Sequence, residues 1–312
     1  MSPDTRWFLT GGGGQLADAL EGLLDGEVFV TREEHLDLRD AAAVTAAVQA
    51  FRPNVVLHTA AYTDVDGAER AEKQARAVNV HGTRHIIDAV RGTSAQVVSF
   101  STDYVFDGRK GAPYVEHDEP GPLNAYGRTK LAQERETLAW AHGTVIRTAW
   151  LFSATGRNFV RTILAAARER AAARIAEPLR VVDDQIGSPT YAGHLAATVV
   201  EALGEGLGPG IYHMAGGGAC SWCELAREVV ALAGLEVAVE PLTTEQAGRP
   251  APRPAFSALT TERAVPQPPC WQDGVAAVMD ELLDRPESDD ASGGADGGAD
   301  GSADGDAGTK GD

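Results

Sequence analysis

Cysteine is scarce in this chain: Cys220, Cys223 and Cys270 are the only three. So low and odd a number builds no disulfide framework. Positive charge is also in short supply, with 27 Lys and Arg against 45 Asp and Glu and a formal net charge of −18. That balance argues against nucleic acid as a partner, because neutralising a phosphate backbone needs a basic face. A small anionic ligand, which responds only to nearby groups, stays compatible with it. Long apolar runs are missing, and nothing approaches the roughly 18 residues of a membrane span. The opening "MSPDTRWFLTGG" has no apolar stretch of signal-peptide length. The expectation is a soluble, cytoplasmic protein without membrane contact. The eight histidines are scattered along the chain, and no metal site is read from them.

Cys220-Ser-Trp-Cys223 spells C-x-x-C, but a zinc site would need a second such pair, and none exists. Ser221 and Glu224 also form S-x-x-E ahead of "LAREVVALA", which is a capping box opening a helix. Two thiols beside a helix start is therefore preferred to a redox pair.

What is present is an alternation. "WFLT" (7–10), "EVFV" (27–30), "NVVLHT" (54–59), "QVVSFS" (96–101) and "TVIRTA" (144–149) read as strands, apolar throughout as strands buried on both faces are. Helix-period segments such as Asp40–Phe51 lie between them. Strands and helices in this rhythm imply a doubly wound, parallel α/β sheet. After about residue 150 the pattern loosens, with helices expected near 157–173, 190–203, 222–233 and 273–284 and a proline-rich connection at "RPAPRP". From Glu287 the chain is Gly, Ala, Asp and Ser, with eight acids against Lys310. That balance of −7 leaves −11 for residues 1–286. Such a tail cannot bury enough apolar surface to offset its ordering entropy and is expected to be disordered.

Thr10-Gly11-Gly12-Gly13-Gly14-Gln15-Leu16-Ala17 follows the first strand and enters the first helix. Read as G-x-x-G-x-x-A, its key positions are Gly11, Gly14 and Ala17. Small residues let the backbone turn tightly beside a pyrophosphate, and the helix start offers free N–H groups. Glycines alone are a weak signal; strand, glycines and helix in that order at the head of a βαβ series make a Rossmann nucleotide site. An acid after the second strand would bond an adenosine ribose, whereas Arg32 at that turn suits a 2′-phosphate. NADPH is favoured; Glu33 and Glu34 leave NADH open, and a solvated charged turn is the competing reading.

In "NAYGRTK" (124–130) Tyr126 and Lys130 stand one helical turn apart and share a face. A phenol near pKa 10 is a poor proton donor to a developing alkoxide at neutral pH unless a neighbouring ammonium lowers that value. Alone, this spacing is also that of an ordinary surface pair. The fourth strand, however, runs into Ser101-Thr102-Asp103, placing hydroxyls where open α/β sheets bind ligands. A hydroxyl donor, a tuned phenol and a nicotinamide together make a carbonyl reductase.

These residues resemble the extended short-chain dehydrogenase/reductase superfamily, and more narrowly the dTDP-4-dehydrorhamnose reductase family. The likeness runs from about residue 7 to 284 through "RPNVVLHTAAYTDVDGAE" (52–69), "STDYVFDG" (101–108), "PLNAYGRTKLAQE" (122–134), "IRTAWLF" (146–152), "VVDDQIGSPT" (181–190), "YHMAGGG" (212–218) and "RPAFSAL" (253–259). It implies an NAD(P)-binding Rossmann domain over 1–150 and a mainly substrate-binding lobe over 151–286, with some elements returning to the sheet. The disordered tail, 287–312, falls outside it. It implies that Gly11, Gly14, Gln15 and Leu16 contact the cofactor pyrophosphate and that Asp37 and Leu38 lie near the adenine. Ala60, Ala61 and Thr63 would line the cofactor groove. Thr102, Tyr126 and Lys130 would be catalytic, with Asp103 near the sugar. Trp150 would pack at the nicotinamide and sugar end, and Arg253 would hold the nucleotide part of the substrate. Ala17 departs from the glycine many relatives carry, and its methyl is small enough to matter little.

The implied reaction is hydride transfer from NAD(P)H to C4 of a dTDP-4-keto-6-deoxyhexose. A sister reductase acting on another dTDP-keto-sugar, such as a dihydrostreptose precursor, shares every motif and stays open. A non-catalytic nucleotide-binding subunit is the rival from another class; such proteins lose the Tyr or the Lys, and here both are present. Magnesium and a homodimer enter from the family alone.

Overall fold

The computed structural model describes residues 3–284, and the acidic tail expected to be disordered lies outside them. The chain opens with β1 (Arg6–Thr10), α1 (Gln15–Glu21), β2 (Glu27–Thr31), α2 (Ala41–Phe51) and β3 (Val55–His58). Next come α3 (Val65–Arg70), α4 (Glu72–Arg76), a π-helical stretch at Ala77–Gly82, and α5 (Thr83–Val90). β4 (Gln96–Thr102), α6 (Ala125–Leu138) and β5 (Gly143–Thr148) follow. Beyond them lie β6 (Leu151–Phe152), α7 (Phe159–Ala173), β7 (Leu179–Val182), β8 (Ile186–Gly187), β9 (Thr190–Tyr191) and α8 (Ala192–Gly204). β10 (Gly210–His213), β11 (Cys220–Ser221), α9 (Trp222–Leu232), β12 (Val239–Leu242), α10 (Thr244–Ala247) and α11 (Trp271–Asp284) complete the described chain.

Helix starts sit where a side chain can stop the backbone. Asp40 stands outside α2 and accepts from the N–H groups of Ala42 and Ala43, both at 3.0 Å. Asn158 does the same for α7, accepting from Arg161 N at 3.1 Å. Each cap satisfies amide donors that the helix leaves unpaired. The capping box expected at Ser221 and Glu224 is formed. Cys220 and Cys223 are both buried free thiols, and burial pushes both upward in pKa, Cys220 beyond the ordinary thiol range.

Six strands form one parallel sheet in the order β2-β1-β3-β4-β5-β10. The order reverses between β1 and β3, and the carboxyl ends on either side of that switch are where an open α/β sheet leaves a crevice. Alternate strand residues serve two cores. Trp7, Leu9, Val55, Leu57 and Val98 pack with residues of α1 and α8, while Phe8, Val56 and Val97 pack with α2 and α5. Both sets are apolar, which explains why the strands read as uninterrupted hydrophobic runs rather than as alternating ones. β10 comes from the second half of the chain and still pairs with β5, so the chain crosses back into the sheet after residue 150. A further core gathers around α7, β7, α9 and α11, with Phe159, Leu179, Trp222, Val229 and Val275 inside it.

A buried ion pair seats α6 against the sheet. Arg147 of β5 donates to Glu134 of α6 through Nη2 (2.7 Å) and Nε (2.9 Å), and both side chains are 2% exposed. Ser101 Oγ donates to the same carboxylate at 2.5 Å. The guanidinium carbon lies 5.1 Å from the ring centre of Phe106. Burial, and then the charge of Arg147, lower His213 to about 4. The imidazole is therefore neutral and takes its place 3.4 Å from Arg147 Nη1 without repelling it. Removing one partner strands a buried charge, whereas removing both leaves only a packing change. Arg147→Met is expected to lower stability by about 3–5 kcal/mol. The double change Glu134→Leu with Arg147→Met is expected to recover most of that loss. Urea unfolding of the three proteins checks this, and equal losses in the single and double variants would contradict it.

Candidate active site

One cleft of about 1890 Å³ runs across the carboxyl ends of β1 to β5. Its size exceeds the roughly 300–1,000 Å³ of a pocket for a single small ligand. It has room for two ligands side by side.

The glycine loop forms the floor at the β1 end. Gly11 has φ +82°, and a Cβ there would lie 2.8 Å from both Ala60 N and Thr59 Oγ1. Any side chain would push β1's turn off the segment after β3. Behind it, buried His58 lies between Thr10 Oγ1 (2.9 Å) and Thr83 Oγ1 (2.8 Å). Burial, and secondarily the charge of Lys130, lower His58 to about 3, so it bridges these hydroxyls as a neutral ring. Thr10 Oγ1 in turn accepts from Ala60 N at 3.2 Å. α1 has no side-chain cap at Gly14, which leaves its first-turn N–H groups to a ligand. This cradle fits a pyrophosphate. Gln15 and Leu16 line it, and so do Ala60, Ala61 and Thr63 on the facing wall. The Gln15 side-chain Oε1 is also tied to the second half of the chain, accepting from Ser153 Oγ (3.0 Å) and Asn158 Nδ2 (3.1 Å).

At the turn after β2, Glu33, one of the two acids that blurred the sequence signal, lies near Arg39. Arg39 takes both oxygens of Asp37, at 2.8 and 3.0 Å, and lies 3.6 Å from Glu33. Those hydrogen bonds from Arg39 hold Asp37 below the usual carboxylate range. Arg32 has no carboxylate within ion-pair distance among the described residues, and its Nη1 would lie 3.0 Å from a Cβ placed on Gly13. The guanidinium therefore lies over the glycine loop. Asp37 and Leu38 line the same end of the cleft.

α6 brings Tyr126 and Lys130 to the far side. Asn124 caps the helix by accepting from Gly127 N at 2.7 Å. A Cβ on Gly127 would lie 2.2 Å from the carbonyl oxygen of Tyr104, so only glycine lets α6 rest this close to the segment leaving β4. That contact sets the Tyr126 ring edge-on to Tyr104, with centroids 6.1 Å apart. Lys130 is buried and donates to Phe100 O of β4 (2.7 Å) and to Gln133 Oε1 (2.5 Å). Of the three protons of an ammonium, one is then left for the cleft. Desolvation lowers Lys130 to about 7, with Glu134 pulling the other way. At the end of β4, Thr102 Oγ1 donates to Asp103 Oδ1 (3.0 Å) and accepts from Tyr104 N (3.2 Å). Asp103 is held from the other side by Ser257 Oγ at 2.5 Å. Thr102, Asp103, Tyr126 and Lys130 all line the one cleft.

Trp150 stands two residues beyond Thr148, whose Cα pairs with that of Thr102 in the β4–β5 register. It lines the cleft with φ +47°, a left-handed backbone that costs a non-glycine residue about 1–2 kcal/mol. Its ring lies face to face with Trp222, centroids 3.5 Å apart and planes 4° apart. Arg253, given to the nucleotide part of the substrate by the resemblance, lies against α3. It forms two hydrogen bonds to Asp66 of α3, at 3.2 and 3.1 Å, is nearly buried, and is not among the residues lining the cleft. Among the described residues no group of three or more His, Cys, Asp or Glu side chains is placed to hold a metal ion, so magnesium gains no support here. Sequence reasoning missed Glu134, Arg147, Gln133 and Ser257, whose types carry no signal until the fold joins them. It read Trp222 only as part of a helix start.

Comparison with known proteins follows the same outline. Residues 5–284 match the family model described as RmlD substrate binding domain. A dTDP-4-dehydrorhamnose reductase of Streptomyces griseus is 41% identical over 271 residues, covering 84% of this chain and 87% of the relative. A dTDP-4-keto-6-deoxy-D-glucose reductase of Streptomyces niveus is 37% identical over 261 residues, covering 81% and 88%. The crystal structure of a dTDP-4-dehydrorhamnose reductase from Bacillus anthracis in complex with NADP superposes with a TM-score of 0.84 at 34% identity, covering 89% of this chain and 99% of that one. A glycine cradle, a threonine, a tyrosine and a lysine around one crevice thus occur in a chain that, from residue 5 to 284, belongs to the RmlD substrate binding domain family.

Proposed function

We propose that this chain is an NADPH-dependent reductase that converts the C4 ketone of a thymidine-diphosphate-linked 4-keto-6-deoxyhexose to an alcohol, in deoxysugar biosynthesis. The supporting observation is that Thr102, Tyr126 and Lys130 line the same cleft as the glycine loop. Bound NADPH would supply the hydride. As the carbonyl carbon accepts it, negative charge develops on the carbonyl oxygen. The Thr102 hydroxyl, resting on Asp103, turns to donate to that oxygen, and the Tyr126 phenol delivers the proton that completes the alcohol. Lys130 spends its remaining proton on the cofactor ribose and on stabilising the phenolate left behind. Arg32 pairs with the 2′-phosphate, which an Arg fork matches well. Within that class, the S. griseus relative is named for dTDP-4-dehydrorhamnose and the S. niveus relative for dTDP-4-keto-6-deoxy-D-glucose, which gives two candidate ketones. Product analysis on a panel of dTDP-keto-sugars separates the two, and absence of NADPH oxidation on all of them would sink the reductase reading.

Three outcomes are expected. Tyr126→Phe should cut turnover by about a hundred- to ten-thousand-fold while the Kd for NADPH changes less than about threefold. Stopped-flow turnover and fluorescence titration check this. Arg32→Ala should weaken NADPH about tenfold or more and leave NADH nearly unaffected, as charge-assisted pairs to phosphate are among the stronger hydrogen bonds. Competition between the two cofactors reads the difference. The third outcome concerns pH. Because Lys130 is lowered to about 7, it is protonated below that value and loses its proton above it. Since kcat/KM reports the free enzyme, kcat/KM for NADPH should fall as pH rises from 6.5 to 9. The residual activity of Tyr126→Phe should keep the same alkaline limb. A flat profile would remove Lys130 from cofactor capture.

A further inference from the structure

Trp150 bears two local costs that nothing in its own segment repays. Its backbone is left-handed at φ +47°. Its indole N–H is buried with no hydrogen-bond partner, facing Gly187, where a Cβ would come within 2.5 Å of Nε1 and 2.2 Å of Cε2. Strain of this kind persists only where the surroundings over-determine it, and it gathers at functional sites.

The over-determining neighbour is Trp222. Its ring covers that of Trp150 at 3.5 Å and 4°. Trp222 itself is held by several contacts. It is the first residue of α9, just inside the Ser221–Glu224 capping box. Its Nε1 donates to Gln185 Oε1 at 3.2 Å, and Gln185 Nε2 is anchored in turn on Thr244 Oγ1 at 2.9 Å. Phe159 packs against it with ring centres 4.6 Å apart. The Trp222 ring belongs to the core around α7 and α9, the strained Trp150 ring packs against that core, and both rings line the cleft that Thr102 lines.

We propose that Trp222 is a positioning residue that acts through Trp150. It holds the Trp150 indole flat as an apolar wall for the hexose ring of the sugar nucleotide, a role that rests on the reductase reading above. A wall with its only polar group buried offers nothing to a carboxamide or a phosphate. It suits the C–H face of a pyranose, and it holds that ring so that the ketone meets Thr102 and Tyr126.

The test uses the full chain with NADPH and dTDP-4-keto-6-deoxyhexoses. Trp222→Leu should raise KM for the sugar nucleotide about tenfold, the scale of one aromatic stacking contact, while KM for NADPH moves less than about twofold. Trp222→Phe should restore the sugar KM to within about threefold, though the exciton signal of the paired indoles in circular dichroism is lost in both variants. Gly187→Ala, whose new methyl meets the edge of the Trp150 indole, should reproduce the sugar-specific rise even if Trp222→Leu folds poorly. Unchanged sugar KM in Trp222→Leu and Gly187→Ala, or a parallel rise for NADPH, overturns the proposal. Failure of the reductase reading looks different: no keto-sugar is turned over by the parent protein. Quenching of tryptophan fluorescence by a dTDP-hexose then decides the matter. A saturable quench weakened about tenfold in Trp222→Leu sustains the wall, and no quench in the parent protein overturns it.

Discussion

Everything in the cleft depends on how closely α6 lies on β4. Gly127 removes the side chain that would strike the Tyr104 carbonyl, and Lys130 then reaches the carbonyl of Phe100 at 2.7 Å. One turn further on, Glu134 receives Arg147 and Ser101 in a site closed to water. The helix is held against the sheet by charge-assisted bonds rather than by grease alone, and such bonds have direction. They fix not only the distance of α6 from β4 but its rotation, which decides that Tyr126 faces the crevice.

That seating also explains the state of Lys130. A lysine in water keeps its proton to about pH 10. Here burial lowers it to about 7, because the carbonyl and amide oxygens around it replace water only in part. Glu134, which pulls the other way, already has Arg147 as its own partner. The same lysine bears on His58, which stays neutral beneath the glycine loop and joins Thr10 to Thr83. The Lys130 end of the cleft and its glycine-loop end thus share one electrostatic environment.

The two halves of the chain meet around this cleft through single, specific contacts. Gln15 of the glycine loop accepts from Ser153 and Asn158. Asp103 at the end of β4 accepts from Ser257. Asp66 of α3 takes Arg253. That last pair joins an arginine and an aspartate 187 residues apart in sequence. Arg32 is a different case: Arg39 takes up Asp37 and Glu33, and a turn that looked mixed in charge presents a cation over the loop.

The sequence by itself determined the parallel sheet, the glycine loop and the caps at Asp40 and Ser221, because each is local: strand runs, glycines before a helix and a capping side chain are encoded within a few residues of where they act. It also determined that Tyr126 and Lys130 share a helix face, since helical spacing alone places them there. Only the tertiary structure decided what those groups touch. The Lys130 carbonyl partner, the Glu134–Arg147 pair, the Ser257 support under Asp103 and the Trp150–Trp222 stack join positions separated by 13 to 154 residues. No periodicity connects such positions. Close packing of the sheet, its helices and the second core brings them into contact, and the chemistry of the cleft comes from that packing.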